Sequence, residues 1–217
     1  EPRTLAKASF TAGDRQAVAQ NSPLQTQIFP FSHPCLSSAG TNTVVIWLLD
    51  DQKRTSLNRT AAVFSSSYGA TWSTPAPLDD DGTADFHPKI AAFADGSAIA
   101  AWENERFAAP DTATFDDMKS NVEIAVAVFD AVSGAWTNPQ TLTTNLFLDR
   151  SPKISGRSKD NVLLVWIGNE SNDLLGNGSK TNRLWWSRRQ AGTWSRAQVG
   201  LEIPFPILKY DLVPCNL

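Results

Sequence analysis

The sequence predicts an all-β protein, a β-propeller of four-stranded antiparallel blades with about three blades present and the ring incomplete. Three observations predict it: one phrase recurs three times, a second phrase built on tryptophan follows each copy, and the segments between them have strand character. A tandem repeat whose unit is four short antiparallel strands is the sequence signature of propeller blades.

The first phrase reads HPCLSSAGTNTVVIW, HPKIAAFADGSAIAAW and SPKISGRSKDNVLLVW, beginning at His33, His87 and Ser151. The second reads GATWSTPAPL, GAWTNPQTL and GTWSRAQVGL. Six of the eight tryptophans therefore occupy two repeat positions: Trp47, Trp102 and Trp166 in the first phrase, and Trp72, Trp136 and Trp194 in the second. This regularity predicts one structural unit of roughly 55 to 65 residues, at the long end of known repeat periods.

Each unit reads as four strands, which we name A to D from the inside of the ring outward. Segments such as SAIAAW and VEIAVAVF are β-rich and mostly alternating, and turn signals such as Ala94-Asp95-Gly96-Ser97 and Ser133-Gly134 separate them. The alternative, three repeats of a two-layer sandwich, would need more strands in each unit.

The repeats divide the chain into an N-terminal extended segment, blades and a short final piece. The segments are 1–32, which could be the tail of a preceding blade, 33–86, 87–150 and 151–213 as blades 1 to 3, and 214–217 as the start of a further blade. Pro214-Cys215-Asn216-Leu217 resembles Pro34-Cys35-Leu36. Because propellers close with about four to eight blades, we expect further blades from the same protein, from another chain or from identical copies.

The stretch SSSYGATW is predicted to be the turn from strand C to strand D of blade 1, where glycine allows a tight reversal and the tryptophan opens strand D by packing between neighbouring sheets. Here the chain resembles the sialidase-like propellers with bacterial-neuraminidase (Asp-box) repeats, whose motif S-x-D-x-G-x-T-W occupies this turn. Ser65, Gly69, Thr71 and Trp72 match the motif, whereas Ser67 stands at the Asp position. The later copies, DAVSGAW and SRRQAGTW, are each one residue shorter.

The resemblance spans about residues 33 to 201. It implies arginines that grip a substrate carboxylate and a tyrosine nucleophile with a glutamate partner. Arg106 and Arg150 could belong to such a cluster, but Tyr68 falls on the opposite face and Tyr210 lies just before strand A of an absent blade. A complete sialidase site is therefore not expected from these residues.

Composition excludes some classes of protein. A net charge of -3, a pI near 5.4 and the absence of a basic run argue against nucleic-acid binding. No apolar stretch reaches the roughly 18 residues that span a bilayer. Cys35 and Cys215 could pair or could be two buried thiols. Sequons at Asn58, Asn169 and Asn177 are compatible with an extracellular, cell-surface or periplasmic location.

The loops that join strands B and C are long, and with the D-to-A connections they share one face, where function is expected. The predicted ligand-binding residues on this face are Glu103, Glu105, Arg106, Asp149, Arg150 and Glu170. Glu103 and Glu170, read as equivalent positions just beyond strand B, are the candidate catalytic pair, because a glycosidase needs two carboxylates that flank the scissile bond. The alternative is that these are solvated loop acids.

Asp79, Asp81 and Asp85 lie in the first D-to-A connection, DDDGTAD, which resembles the end of a propeller calcium loop. Hard oxygen ligands around a glycine turn suit Ca²⁺, which is the one candidate cofactor; a plain acidic turn is the alternative. His33 and His87 both precede the strand A proline, and their equivalent placement favours a structural role, such as a ring hydrogen bond to a neighbouring blade.

Two functions follow as hypotheses. The first is a non-catalytic extracellular recognition module that binds a glycan or a protein through the long B-to-C and D-to-A loops. The second is part of a carbohydrate-active enzyme, a sialidase-like glycoside hydrolase or a polysaccharide lyase, with further catalytic residues on absent blades. Both rest on analogy with other propellers rather than on a recognised site.

Overall fold

The computed structural model describes residues 3–11, 18–60, 63–68, 71–177, 179 and 181–212. Within them, three antiparallel sheets and a two-stranded hairpin account for the chain, and no closed ring is formed. The predicted propeller with an incomplete ring is therefore confirmed. None of the helices in the described part of the chain is long and apolar enough to cross a membrane.

The strands follow the predicted order A, B, C, D in each blade. The hairpin is β1 (Arg3–Thr11) and β2 (Val18–Ile28); blade 1 is β3 (Cys35–Ala39), β4 (Asn42–Leu48), β5 (Val63–Tyr68) and β6 (Ala76–Asp79); blade 2 is β7 (Asp85–Ala92), β8 (Ala98–Glu105), β9 (Val122–Asp130), β10 (Ala135–Trp136) and β11 (Gln140–Thr141); blade 3 is β12 (Leu148–Ser158), β13 (Asn161–Asn169), β14 (Asn182–Gln190), β15 (Thr193–Trp194) and β16 (Gln198–Ile203). A short α-helix, α1 (Phe115–Met118), lies in the B-to-C loop of blade 2, and a 3-10 helix (Ser56–Thr60) lies in that of blade 1.

The core lies between blades, and it is built on the strand B tryptophans. Trp47, Trp102 and Trp166 are at most 1% exposed. Trp102 packs in a cluster with Val44 and Ile46 of blade 1. In the same way Trp166 packs with residues of blade 2, and Trp47 packs with Leu24 and Ile28 of the hairpin strand β2. Each of these side chains thus joins its blade to the unit before it.

In blades 2 and 3 the second tryptophan opens strand D, as predicted, whereas Trp72 of blade 1 lies before β6. Trp136 and Trp194 stand in β10 and β15 and pack against the core shared with the preceding blade. The Trp136 indole N–H also donates to Ser65 Oγ of blade 1 at 2.9 Å. The glycine and alanine of the SSSYGATW turn, Gly69 and Ala70, lie outside the described residues, so the turn itself is not described.

The innermost strands of blades 2 and 3 carry the same bulge. Phe86 pairs with Glu103 and Lys89 with Ala101, so His87 and Pro88 together face the single residue Trp102. Ser151 and Pro152 occupy the corresponding place in β12. His87 and Ser151 have φ of 48° and 56°, in the left-handed region that costs a residue with a side chain about 1–3 kcal/mol. Such bulges bend a strand and re-aim its side chains.

Prediction for the core. Trp102→Ala should lower the free energy of unfolding of the 217-residue chain by about 3–5 kcal/mol, because it empties the space between blades 1 and 2. Val132→Ala is the matched control, since Val132 is 97% exposed and its loss should change stability by no more than about 0.5 kcal/mol. Urea unfolding monitored by circular dichroism measures both; equal stabilities for the two variants would contradict the interblade role of Trp102.

Candidate functional site

A cleft of about 180 Å³ opens between the innermost strands of blades 2 and 3. We call it the inner cleft, and it is lined by His87, Lys89, Ser151, Pro152, Lys153, Ile167, Leu208, Lys209 and Tyr210. Both strand A bulges contribute to its walls, and the segment after β16 forms one side. The bulges explain the position of the cleft, because they turn His87 and Ser151 out of the regular strand pattern.

His87 and Glu103 form the most distinctive pair of side chains in the inner cleft. His87 Nδ1 lies 2.9 Å from Glu103 Oε1; the His87 side chain is 62% exposed and that of Glu103 is 4% exposed. Glu103 Oε1 also accepts a hydrogen bond from the backbone N–H of Ser151 in blade 3. The hydrogen bond and charge of Glu103 raise the pKa of His87 above its ordinary 6.5. Nε2 of His87 has no hydrogen-bond partner among the described residues.

The structural role predicted for His87 is thus realised in a different way. Its ring contacts a glutamate of its own blade rather than a neighbouring blade, and it is Glu103 that reaches blade 3 through Ser151. The imidazole remains largely exposed to the cleft. His33 lines a smaller cleft between the inner strands of blades 1 and 2.

Lysines make the inner cleft cationic. Lys153 Nζ lies 3.6 Å from Asp211 Oδ1, whose side chain is 70% exposed, so this ion pair is a surface one. Lys89 and Lys209 form no ion pair within the described chain. The lysines thus give the cleft positive charge that its described neighbours only partly balance.

Arg150 and Tyr210 hold the C-terminal segment against blade 3. Arg150 Nη2 donates to Leu174 O at 2.7 Å and to Ile207 O at 3.3 Å, and burial lowers the pKa of its guanidinium. The Tyr210 hydroxyl lies 2.5 Å from Ser151 O and 2.8 Å from Val165 O, and burial raises its pKa, so the phenol stays protonated. Tyr210 therefore packs on the inner strands of blade 3.

The structure does not bring Glu103 and Glu170 together. Glu103 lies within strand β8 and pairs with Phe86, whereas the residue of blade 3 in that register is Ile167, opposite Arg150. Glu170 lies beyond β13, is largely exposed and forms an ion pair with Arg183, which also donates to Glu202 of the outermost strand. The predicted equivalence of the two glutamates was wrong because strand B runs through Glu103.

Besides Glu103, two predicted ligand-binding acids are buried, together with Glu123, which was not predicted. Asp149 is 1% exposed and accepts hydrogen bonds from Trp166 Nε1 and Asn145 Nδ2, each at 2.9 Å. Burial raises the pKa of Glu105 and of the unpredicted Glu123 to about 7 and that of Asp149 to about 6. These acids face the interior, not a ligand.

Arg106, by contrast, lies at the surface of this region. Its Nη1 donates to Asn145 O at 3.3 Å and lies 3.9 Å from Glu123 Oε1, and its guanidinium stacks 5.4 Å from the Phe107 ring centroid. A role for Arg106 in ligand binding stays a prediction.

The predicted calcium site is not formed by the described residues. No three histidine, cysteine or acidic side chains in them are placed to hold one metal ion. Instead Asn104 Nδ2, a donor group, points at Asp85 Oδ1 (3.0 Å) and Asp81 Oδ2 (3.3 Å), where a cation would compete with it. Burial, followed by the charge of Asp81, raises the pKa of Asp79 to about 6. Calcium binding at these aspartates therefore stays a prediction, and in the structure they form a hydrogen-bonded acidic turn.

Sequence reasoning missed the two inner lysines. Lys89 and Lys153 occupy the same place in the phrases HPKI and SPKI, two residues after the bulge residue. Blade 1 has Cys35 there, and the structural register places all three together at the same step of strand A. The identical lysine at one repeat position was the feature of the sequence from which the two residues could have been identified.

No protein-family model and no curated protein matches the chain. Among solved structures, an α-L-arabinanase of Penicillium chrysogenum complexed with arabinobiose is similar, with 11% identity over 82% of this chain and 52% of that one and a TM-score of 0.51. At this identity the likeness shows the fold alone, and the chain spans about half the length of the structure it matches.

Two further structures are similar at a lower level. They are an ulvan lyase of the PL25 family (10% identity, 91% of this chain, 55% of that one, TM-score 0.49) and an inulosucrase of Halalkalicoccus jeotgali bound to kestose (11%, 93%, 57%, 0.46). Both TM-scores are too low to bear on the fold. By their names all three proteins act on carbohydrates, and none of the three is a sialidase.

Prediction for His87. Glu103→Gln should lower the pKa of His87 toward its ordinary value, because the neutral amide no longer favours the charged imidazolium. Titration of the His87 ring followed by NMR measures the pKa directly. Glu170→Gln is the matched control, since it removes a carboxylate that does not contact His87. An unchanged His87 pKa in Glu103→Gln would contradict the pairing.

Prediction for the buried acids. Because the folded state holds a proton on Glu105 up to a pKa of about 7, against an ordinary 4.5, wild-type stability should fall as pH rises through this interval. The stability difference between Glu105→Gln and wild type should therefore grow in favour of the variant from pH 5 to pH 8, measured by urea unfolding. Replacing the exposed Glu202 by Gln is the control, and a parallel response of the two variants would refute the burial effect.

Proposed function

We propose that the chain is part of a carbohydrate-active enzyme of the polysaccharide-lyase class, whose inner cleft holds an acidic sugar unit. The observation that carries the proposal is the exposed His87 imidazole, supported by buried Glu103 and surrounded by Lys89, Lys153 and Lys209. The propeller fold shared with the arabinanase is consistent with action on a polysaccharide.

The charge of the cleft favours an anionic ligand. Three lysines line one small cleft, and among the described residues the only acid paired with them, Asp211, lies in an exposed ion pair with Lys153. A uronate carboxylate placed there would gain charge-assisted hydrogen bonds from the ammonium groups. The same groups would stabilise the negative charge that grows on the carboxylate when a neighbouring carbon loses a proton.

His87 is suited to take that proton. Its Nδ1 is engaged by Glu103, which fixes the ring and raises its pKa, and its Nε2 is the nitrogen left to face the cleft. In the proposed β-elimination, Nε2 takes the proton from C5 of the uronate, the electron pair forms a C4–C5 double bond, and the C4–O4 bond breaks. The leaving oxygen takes a proton from water.

The side-chain contacts support a glycoside hydrolase or a sialidase-like site less well than a lyase. A hydrolase of the usual kind needs two carboxylates that flank one bond, but Glu103 is buried and Glu170 is paired with Arg183 toward the outer strands. The arginine cluster implied by the sialidase resemblance also finds little support, since Arg150 is committed to the backbone carbonyls of Leu174 and Ile207. A recognition module would use the same cationic cleft without turnover, and the experiments below separate it from an enzyme.

We also propose that the ring is completed by further blades, whether from the same protein, another chain or identical copies. The outer strand of blade 3 exposes Val199 and Leu201, which are 44% and 51% exposed. An extracellular, cell-surface or periplasmic location remains part of the proposal. Of the sequon residues, Asn169 is 1% exposed and hydrogen-bonded, so it could not carry a glycan in the folded protein.

Prediction for binding and turnover. Oligogalacturonate should bind the 217-residue chain in calorimetry, and Lys153→Ala should weaken binding by about tenfold, since loss of one charge-assisted hydrogen bond costs about 1.5 kcal/mol or more. Lys159→Ala is the matched control, because Lys159 follows the same strand at the opposite end and pairs with Asp130. Neutral arabinan oligosaccharides should not compete.

Turnover of polygalacturonate and alginate is followed by the ultraviolet absorbance of the conjugated C4–C5 double bond. In the proposed enzyme His87→Gln abolishes turnover while binding is largely retained. New reducing ends without this absorbance would indicate a hydrolase, binding without any turnover would indicate a recognition module, and absence of both binding and turnover would overturn the proposal.

A further inference from the structure

A second pocket lies at the other end of the blades, at the outer edge between blades 2 and 3. This rim pocket has a volume of about 220 Å³ and is lined by Val126, Ala127, Val128, Thr137, Asn138, Gln140, Arg189, Gly192 and Trp194. It lies beside the C-to-D turn of blade 3, whereas the inner cleft lies near the start of strand A. The two are therefore separate sites.

The repeat supplies an internal comparison, because an equivalent pocket of about 160 Å³ lies between blades 1 and 2. We call it the closed pocket. Trp136 and Gly134 take the places of Trp194 and Gly192, and both tryptophans open strand D. The two pockets are thus the same feature of consecutive blade interfaces.

Register shows which residues correspond. Ser65 pairs with Ile46, the residue before Trp47, and Val126 pairs with Ala101, the residue before Trp102, so Ser65 and Val126 are equivalent.

Phe129 and Arg189 correspond in the same way, because they pair with Trp136 and Trp194. Two of the residues around the tryptophan therefore differ between the pockets.

These two differences decide what the tryptophan can do. In the closed pocket Trp136 Nε1 donates to Ser65 Oγ at 2.9 Å, and the Phe129 ring packs on the indole with centroids 5.4 Å apart. In the rim pocket Val126 offers no acceptor, and Trp194 Nε1 has no hydrogen-bond partner among the described residues. The indole, a donor only, therefore remains available to a bound molecule.

The other polar groups of the rim pocket are available as well. The side-chain amides of Asn138 and Gln140 are exposed, and within the described chain neither is hydrogen-bonded. Arg189, in contrast, is already compensated, since its Nη1 donates to Asp160 Oδ1 at 2.8 Å. The pocket thus offers uncharged donors and acceptors beside an apolar wall to which Val126 and Val128 contribute their side chains.

We infer that the rim pocket binds one unit of a neutral saccharide, as a subsite separate from the inner cleft. A sugar ring combines apolar C–H faces, which fit the valine wall, with hydroxyl groups that can accept from the Trp194 indole and exchange hydrogen bonds with two amides. Because Asp160 neutralises the charge of Arg189, the pocket does not favour an anionic ligand. The inference stands on the comparison of the two pockets and does not depend on the proposed function.

The test uses the indole N–H signals of the 217-residue chain labelled with ¹⁵N at tryptophan. The Trp194 signal is assigned from its loss in Trp194→Phe and the Trp136 signal from Trp136→Phe. The probes are cellohexaose, laminarihexaose, xylohexaose and arabinohexaose. At least one should shift the Trp194 signal with saturation while the Trp136 signal, held by Ser65, stays in place.

Variants separate binding from general perturbation. Asn138→Ala with Gln140→Ala should weaken the response by about tenfold, since each lost hydrogen bond costs about 0.5–1.5 kcal/mol, and both positions are exposed, so the fold is kept. Val126→Ser restores the acceptor of the closed pocket and should weaken the response too. The exposed Thr144→Ala, outside the pocket, is the control and should leave the response unchanged.

If none of the four hexasaccharides shifts the Trp194 signal, or if the Asn138 and Gln140 variant responds like wild type, the inference is overturned. Oligogalacturonate binding at the inner cleft is measured on the same samples. It should be unaffected by the rim variants, so that failure of one site is distinguished from failure of the other.

Discussion

The burial of one tryptophan in strand B of each blade is the constraint on which the rest of the structure depends. A single antiparallel sheet of four strands cannot bury both faces, so each blade is stable only against its neighbours. Trp47, Trp102 and Trp166 fill the space toward the preceding unit with almost no exposed surface. Because each indole is fixed by two units at once, the angle and separation of neighbouring blades are fixed with it.

That constraint also determines where irregular structure can occur. In β7 and β12 the extra residue of the bulge lies directly opposite the buried tryptophan, so two residues of strand A face one residue of strand B. The left-handed conformations of His87 and Ser151 are held by this packing. The bulges place an imidazole and a backbone N–H at the same oxygen of the Glu103 carboxylate, Oε1, and this oxygen links two blades at the inner cleft.

The sequence predicted the fold better than the site, and the reason is physical. Tryptophan spacing and turn residues are local signals, and they predicted the strand order and the positions of Trp136 and Trp194 in strand D. The site depends on side-chain register, which an added residue changes, and the bulges at His87 and Ser151 are not visible in a hydropathy pattern. Glu103 and Glu170 were therefore paired in error, and Asp149 and Glu105 were taken for surface acids although the strands continue through them. The repeated lysine at positions 89 and 153 was visible in the sequence, but its meaning depended on the cleft.

The difference between Ser65 and Val126 illustrates how a repeat protein can acquire new properties. Each blade interface inherits the same arrangement of strand, turn and indole, and the fold needs that arrangement to be stable at each interface but not chemically identical. Where serine and phenylalanine surround the tryptophan, the indole only holds neighbouring blades together. Where valine and arginine stand at these positions, the backbone arrangement is the same but the indole N–H has no acceptor at the valine. Duplication thus provides a second blade interface with the same backbone packing. Side chains at one interface can change while the other keeps the original arrangement.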